Sequence, residues 1–157
     1  MLKIEKKEVV TYIMVIFTLM ALASSSFAQN GSKIETKSDT LEIDFTDGNW
    51  DEIATKARTS NKYIFVDAYT TWCSPCKLLK ADTFKEKETA RYFNDNFINA
   101  TFDMESSEGI PLAEKWKVTA YPTLLFFTPQ GKLVLKKIGF VDGKQLIEFA
   151  DQALNKT

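Results

Sequence analysis

The sequence contains no histidine and only two cysteines among its 157 residues. The absence of histidine excludes a Ser–His–Asp or Cys–His nucleophilic apparatus. Two cysteines without histidine cannot supply the four ligands of a Cys₂His₂ or Cys₄ zinc centre, so no metal site is expected. The 20 Lys and Arg nearly balance the 21 Asp and Glu. This composition offers no concentrated basic face, and we therefore expect no binding of nucleic acid.

Other features of the composition are typical of a folded protein. Hydrophobic residues make up 45% of the chain, and 12 Phe and 3 Trp can fill a core, which excludes a disordered chain. The apolar periodicity predicts the order β-α-β-α-α-β-α-β-β-α, beginning with a short strand at Leu41–Phe45 and a covered strand at Tyr63–Tyr69. We therefore expect one α/β domain, with a central mixed sheet of about five strands flanked by helices.

The N-terminal segment has the pattern of a targeting signal. Three lysines among the first seven residues precede an apolar run at Val9–Ala23, and small residues then lead to Ala28. This pattern predicts a signal peptide over residues 1–28, cleaved near Ala28. An uncleaved membrane anchor is the alternative. The polar residues 29–40 predict a flexible leader to a domain over 41–155. Export, here to the periplasm, would put both cysteines where disulfides persist.

The two cysteines form a C-x-x-C motif that directly follows the covered strand and begins a predicted helix. Backbone N–H groups at a helix start stabilise a thiolate, so Cys73 is the expected nucleophile and Cys76 the thiol that resolves the mixed disulfide. Pro75 suits the first turn of a helix, and Trp72 is expected to cover one side of the exposed Cys73 sulfur. The alternatives are half of a zinc site, for which no second pair exists, and an inert staple, whose loop is too short to constrain much.

Asp67 is an acid within the apolar run YIFVDAY, six residues before Cys73. A carboxylate that loses water there should have a raised pKa, and could take a proton from Cys76 as that thiol becomes a nucleophile. The alternative is an acid at the end of the strand that simply faces solvent.

Pro122 precedes a predicted central strand, where a proline is awkward unless its peptide bond is cis or the residue starts the strand. A cis bond would leave the backbone of Tyr121 free to pair with an incoming peptide. An ordinary trans proline in a loop is the alternative, and these residues alone do not exclude it.

These motifs resemble the thioredoxin superfamily over roughly Leu41 to Leu154. The segment VDAYTTWCSPCK is similar to the active-site segment of that family, with Ser74, Pro75 and Lys77 in its motif. The resemblance implies a thioredoxin fold, an attacking Cys73, a resolving Cys76 and proton transfer by Asp67. It also places Pro122 in the cis-proline position facing the sulfurs, with substrate contacts expected from Trp72, Tyr121 and Thr123. The Cys73–Cys76 disulfide would act without a further cofactor.

The chain also departs from thioredoxin at several positions. Ser74–Pro75 replaces Gly-Pro, Tyr69 stands in place of a second tryptophan, and the buried lysine of the family is replaced near Asn99. The segment KADTFKEKETARYFNDNF is more similar to thioredoxin-like domains attached to bacterial membrane thiol transporters. This similarity suggests a membrane electron donor of that type as a partner.

The residues between the cysteines favour one direction of electron flow. Oxidising members of the family usually carry histidine there, whereas Ser-Pro is closer to the Gly-Pro of reducing members. We therefore expect an exported, monomeric thiol–disulfide oxidoreductase that reduces disulfides in protein substrates. The alternatives are a periplasmic oxidase or isomerase, and a non-catalytic thioredoxin-fold binding module.

Overall fold

The structure is a computed structural model, and it describes residues 42–156. The signal peptide predicted over 1–28 and the leader predicted over 29–40 lie outside these residues and stay predictions. No helix in the described part of the chain is both long and apolar enough to cross a membrane.

The described residues form an α/β fold, as the sequence predicts, and from the first helix onward the order of helices and strands agrees with the predicted order. The elements in chain order are α1 (Trp50–Ser60), β1 (Tyr63–Tyr69), α2 (Ser74–Ala81), a 3₁₀ turn (Thr83–Lys85), α3 (Lys87–Asn96), β2 (Phe97–Asp103), α4 (Gly109–Trp116), β3 (Thr123–Phe127), β4 (Leu133–Ile138) and α5 (Gly143–Leu154).

The sheet has the strand order β2-β1-β3-β4. Strands β1 and β2 are parallel, whereas β3 runs antiparallel to both β1 and β4. The mixed sheet expected from the sequence is therefore confirmed. Central strand β1 brings Asp67 level with Thr101 on β2 and with Leu124 on β3.

The strand expected at Leu41–Phe45 is the exception, and that prediction is wrong for the residues described. Phe45 makes only an isolated bridge to Asn99, so the sheet in residues 42–156 has four strands rather than five. Side-chain amides replace the ladder: Asn94 accepts from the Asp44 N–H, and Asn99 donates to the Asp44 carbonyl. These two contacts satisfy the N–H and the carbonyl of Asp44, while the N–H groups of Ile43 and Thr46 donate to the carbonyls of Phe84 and Asn99.

Two hydrophobic layers cover the sheet. Ile64, Val66 and Ala68 of β1 pack with α1 and α4 on one face. Phe65 lies on the other face with residues of α2, α3 and α5. Because side chains alternate along a strand, Asp67 shares the face of Phe65 and lies on the side of α2. This alternation directs the one acid of β1 towards the helix that carries the cysteines.

The start of α4 leaves an apolar side chain in solvent. Ile110 is 53% exposed, although the nearby Gly109 and Leu112 of the same helix are buried. The inward position belongs to Gly109, where an added Cβ would lie 1.8 Å from the carbonyl oxygen of Asp103. Because glycine allows this close approach, Leu112 and Trp116 face the core and Ile110 is rotated towards solvent.

Candidate active site

The two cysteines meet at the start of α2, where they form a disulfide with a Cα–Cα distance of 5.3 Å. Cys73 is the N-cap residue of the helix, and its backbone is extended. Its Sγ accepts the backbone N–H of Cys76 at 3.1 Å. The sulfur therefore occupies the place that a side-chain oxygen takes in an ordinary N-cap.

The local sequence keeps this helix start favourable for a negative charge. No acidic residue lies in the first turn of α2, and Pro75 sits in that turn, where its missing N–H costs nothing. Ser74 and Lys77 are exposed, while Pro75 is half-buried. After reduction of the disulfide, the N–H of Cys76 and the helix dipole would stabilise a thiolate on Cys73.

Trp72 links the cysteine loop to the proline loop. Its indole N–H donates to both carboxylate oxygens of Glu105 at 3.0 Å, and its ring packs edge-to-face on Tyr121 at 6.0 Å. Trp72 is 63% exposed, whereas Cys73 is only 2% exposed. The expectation of an exposed sulfur is therefore wrong for the disulfide form described here.

The proline loop has the predicted backbone, because the Tyr121–Pro122 peptide bond is cis. The carbonyl of Pro122 accepts the N–H of Gly139 at 2.8 Å. Gly139 has φ +99°, a conformation that favours glycine. Thr123 is fully buried, and its hydroxyl donates to the Ala120 carbonyl at 2.6 Å. A contact between its hydroxyl and a substrate stays a prediction.

Asp67 is fully buried, so the alternative of a solvent-facing acid is excluded. Its Oδ2 accepts the Thr101 hydroxyl at 3.3 Å, while its Oδ1 has no hydrogen-bond partner among residues 42–156. Burial raises the pKa of this carboxyl from 3.8 to about 6, although the charge of Lys80 and the Thr101 hydrogen bond act in the opposite direction. The group can therefore exchange a proton near neutral pH.

Sequence reasoning missed three residues of this site, namely Lys80, Thr101 and Glu105. Lys80 carries a usable signal, because it stands four residues after Cys76 and so lies on the same face of α2. Thr101 and Glu105 come from a distant part of the sequence and carry no comparable pattern. Asn99 stands in the position of the family's buried lysine. Its side-chain N–H groups donate to Asn94 Oδ1 and to the Asp44 carbonyl.

A disulfide at a helix start, a neighbouring cis-proline loop and a buried acid on the α2 side of β1 define a thiol–disulfide oxidoreductase-like site on a thioredoxin fold. The model of the thioredoxin-like domain family matches residues 50–154. The chain belongs to this family.

Known relatives by sequence include both small and large proteins. A thioredoxin of Acidithiobacillus ferridurans is 31% identical over 66% of this chain and 91% of its own length. A thiol:disulfide interchange protein DsbD of Photorhabdus laumondii is 31% identical over 64% of this chain. The chain spans only 18% of that larger relative.

Among solved structures, a disulphide-isomerase candidate from Bacteroides thetaiotaomicron is 38% identical and superposes with a TM-score of 0.66. The match covers 74% of this chain and 96% of that one. A thioredoxin from Thermus thermophilus, at 18% identity and a TM-score of 0.65, shares the fold over 73% of this chain and 89% of its own.

Proposed function

We propose that this protein is an exported reductase that transfers two electrons from the Cys73–Cys76 dithiol to disulfides in protein substrates. The observation that carries the proposal is the position of the Cys73 sulfur at the start of α2, where it accepts the N–H of Cys76. A thiolate formed at this position would be stabilised and nucleophilic at neutral pH.

The reaction would proceed in two exchanges. The Cys73 thiolate attacks one sulfur of a substrate disulfide, forms a mixed disulfide and releases the other substrate sulfur as a thiolate. Cys76 then attacks Cys73 Sγ and displaces the second substrate sulfur. The substrate gains two thiols, and the protein is left with its own disulfide. A second dithiol must then supply two electrons to regenerate the protein.

Asp67 would handle the proton of the second exchange. Cys76 must lose its proton before it can attack, and Asp67 lies on the α2 side of β1 with a pKa raised to about 6 by burial. Its carboxylate form can accept that proton, and its acid form can return one in the reverse direction. Because Cys76 is only 1% exposed, bulk water is a poor alternative base.

The residues around the sulfurs indicate the substrate, and the relatives indicate the electron donor. Trp72, Tyr121 and Pro122 would border an extended peptide that carries the target disulfide. The similarity to a thiol:disulfide interchange protein supports exchange with a second protein dithiol as the electron source. We propose that this donor is membrane-bound and that the protein is periplasmic. We propose a monomer that needs no cofactor besides its own disulfide.

The test is reduction of insulin by the full-length protein with a chemical dithiol as electron source. The wild-type protein should turn over, Cys73→Ser should be inactive, and Cys76→Ser should stall as a mixed disulfide with substrate. Absence of turnover in the wild type, together with peptide binding that Cys73→Ser leaves unchanged, would instead identify a non-catalytic binding module.

Disulfide isomerisation is the second candidate, because a relative 38% identical to this chain is described as a disulphide-isomerase candidate. An isomerase would restore activity to ribonuclease with scrambled disulfides in the absence of net reduction. Efficient recovery of ribonuclease with weak insulin reduction would favour this candidate over the reductase.

A further inference from the structure

We propose that Lys80 is the positioning residue of Asp67, so that the redox helix itself supplies the cation that keeps this buried acid able to ionise. The proposal rests on the function proposed above, in which Asp67 moves a proton for Cys76. It concerns a residue that acts through Asp67 and does not itself touch the sulfurs.

The ring of Tyr69 holds the Lys80 ammonium on the face of the sheet where Asp67 lies. Lys80 Nζ lies 3.4 Å from the centroid of the Tyr69 ring, a cation–π contact. Tyr69 follows Asp67 by two residues on β1, so the two side chains share one face of the strand. The contact therefore fixes a positive charge on the face where Asp67 is buried.

A cavity connects this ammonium to the hydrogen-bond partner of Asp67. The cavity has a volume of about 490 Å³, and both Lys80 and Thr101 line it, with Ile43 and Phe84 as apolar walls. The Thr101 hydroxyl donates to Asp67 Oδ2. Water in this cavity would reach Thr101 beside the Lys80 cation, and would thereby give Asp67 a route for proton exchange that avoids the covered disulfide.

The other charged groups around the cavity do not replace Lys80. Lys85 also lines it, but its Nζ lies 4.0 Å from a carboxylate oxygen of Glu42, and both side chains are largely exposed. Asp44 lines the same cavity and has the wrong sign to favour a second carboxylate.

At the positions paired with Asp67, the two flanking strands carry no charged side chain. Strand β2 contributes the neutral Thr101, and β3 contributes the apolar Leu124. On β1, the pKa of Tyr69 is raised by burial and by the nearby carboxylates of Asp103 and Asp67, so its phenol is neutral at physiological pH. Lys80 is thus the cation placed to favour the Asp67 carboxylate.

The test follows the ionisation of Asp67 directly, by ¹³C NMR of its side-chain carboxyl in the full-length, disulfide-bonded protein. Lys80→Met keeps the length of the side chain but removes the charge, and should move the Asp67 midpoint upward by about one pH unit or more. Lys80→Arg restores the charge and should return the midpoint close to the wild-type value. Lys85→Met is the matched control, since it removes a cavity cation that pairs with Glu42, and should leave the midpoint in place.

An Asp67 midpoint that is unchanged in Lys80→Met, or that moves equally in Lys80→Arg, would overturn the proposal. The measurement needs no substrate, so it is independent of turnover. If the midpoint shifts as expected while the acid limb of insulin reduction stays where it was, the assigned role of Asp67 fails and the role of Lys80 stands.

Discussion

Helices α1 and α2 both begin with a side-chain N-cap, but the capping atom is oxygen in α1 and sulfur in α2. The first cap can only stabilise its helix, whereas the second can also take part in chemistry. Asn49 caps α1 through its side-chain oxygen, and Glu52 returns a contact to the Asn49 N–H, which completes a capping box. Cys73 caps α2 through sulfur, which accepts the N–H of Cys76. Both caps satisfy an orphan donor, but only the sulfur can also exchange bonds.

The two helices also differ in where their acids lie. Asp51 and Glu52 occupy the first turn of α1, where they complement the helix dipole. The first turn of α2 contains no acid, and the carboxylate associated with α2 is instead Asp67, buried in β1. The first turn of α2 therefore carries no carboxylate that would compete with a thiolate on Cys73, which agrees with the proposed division of roles between Cys73 and Asp67.

The largest effect should come from the same substitution at the two caps. Serine can cap a helix but cannot exchange disulfides, so Cys73→Ser should lower insulin reduction by about 10³-fold or more, whereas Asn49→Ser should leave it within about twofold. Rates of insulin reduction measured side by side check the prediction. Substantial turnover in Cys73→Ser would show that the sulfur cap is not the nucleophile.

Asp67→Asn should make the protein more stable at neutral pH. The folded-state pKa is raised to about 6 from 3.8, so the folded state binds the proton more tightly and stability falls as pH rises through this interval. Removal of the charge should therefore add about 3 kcal/mol to the free energy of unfolding above pH 7, and almost nothing below pH 4.

Denaturant unfolding at several pH values measures this gain, with Asp51→Asn as the exposed control from the first turn of α1. A gain in Asp67→Asn that is the same at pH 4 and pH 8 would contradict the account. Insulin reduction by Asp67→Asn should also fall, by roughly 10²-fold at pH 7, because Cys76 loses its base.

Asn49→Ala should have a purely structural effect. Loss of the oxygen cap leaves a helix N–H without its partner and should lower the free energy of unfolding by about 1 kcal/mol. Turnover below the unfolding transition should not change, since α1 packs on the face of the sheet opposite Asp67. If turnover also fell at a temperature where the variant is fully folded, the claim that the Asn49 cap has only a structural role would be wrong.

The smallest effect should follow from giving α2 the acid that α1 has. Ser74→Glu places a carboxylate in the first turn, where it competes with the Cys73 thiolate for the helix end. The Cys73 pKa in the reduced protein should rise by about 0.2–0.7 pH units, as expected for a charge near a helix terminus. Thiolate absorbance as a function of pH measures this shift. Ser74→Gln is the uncharged control, in which the Cys73 pKa should be unchanged.

Where local sequence decides the structure, prediction from the sequence was accurate. The run YIFVDAY forms β1 with the predicted bounds, because a continuous apolar segment suits a strand covered on both faces. The C-x-x-C at the helix start, the buried Asp67 and the cis bond before Pro122 were likewise anticipated from local pattern and family resemblance.

Prediction failed where distant residues decide the outcome. Alternation around Phe45 indicated a strand, but amides of Asn94 and Asn99 hold that segment by side-chain contacts. The Trp72–Glu105 contact and the cavity shared by Lys80 and Thr101 also depend on tertiary packing. The number of strands and the surroundings of the acid could therefore not be read from a single sequence.

The most direct test of the central claim is the reduction potential of the Cys73–Cys76 couple, measured by equilibration of the full-length protein with defined dithiol and disulfide buffers. A reductase with no histidine between its cysteines should have a potential near that of thioredoxin, about −270 mV. A potential near that of the strong oxidants, about −120 mV, would contradict the account and identify an oxidase instead.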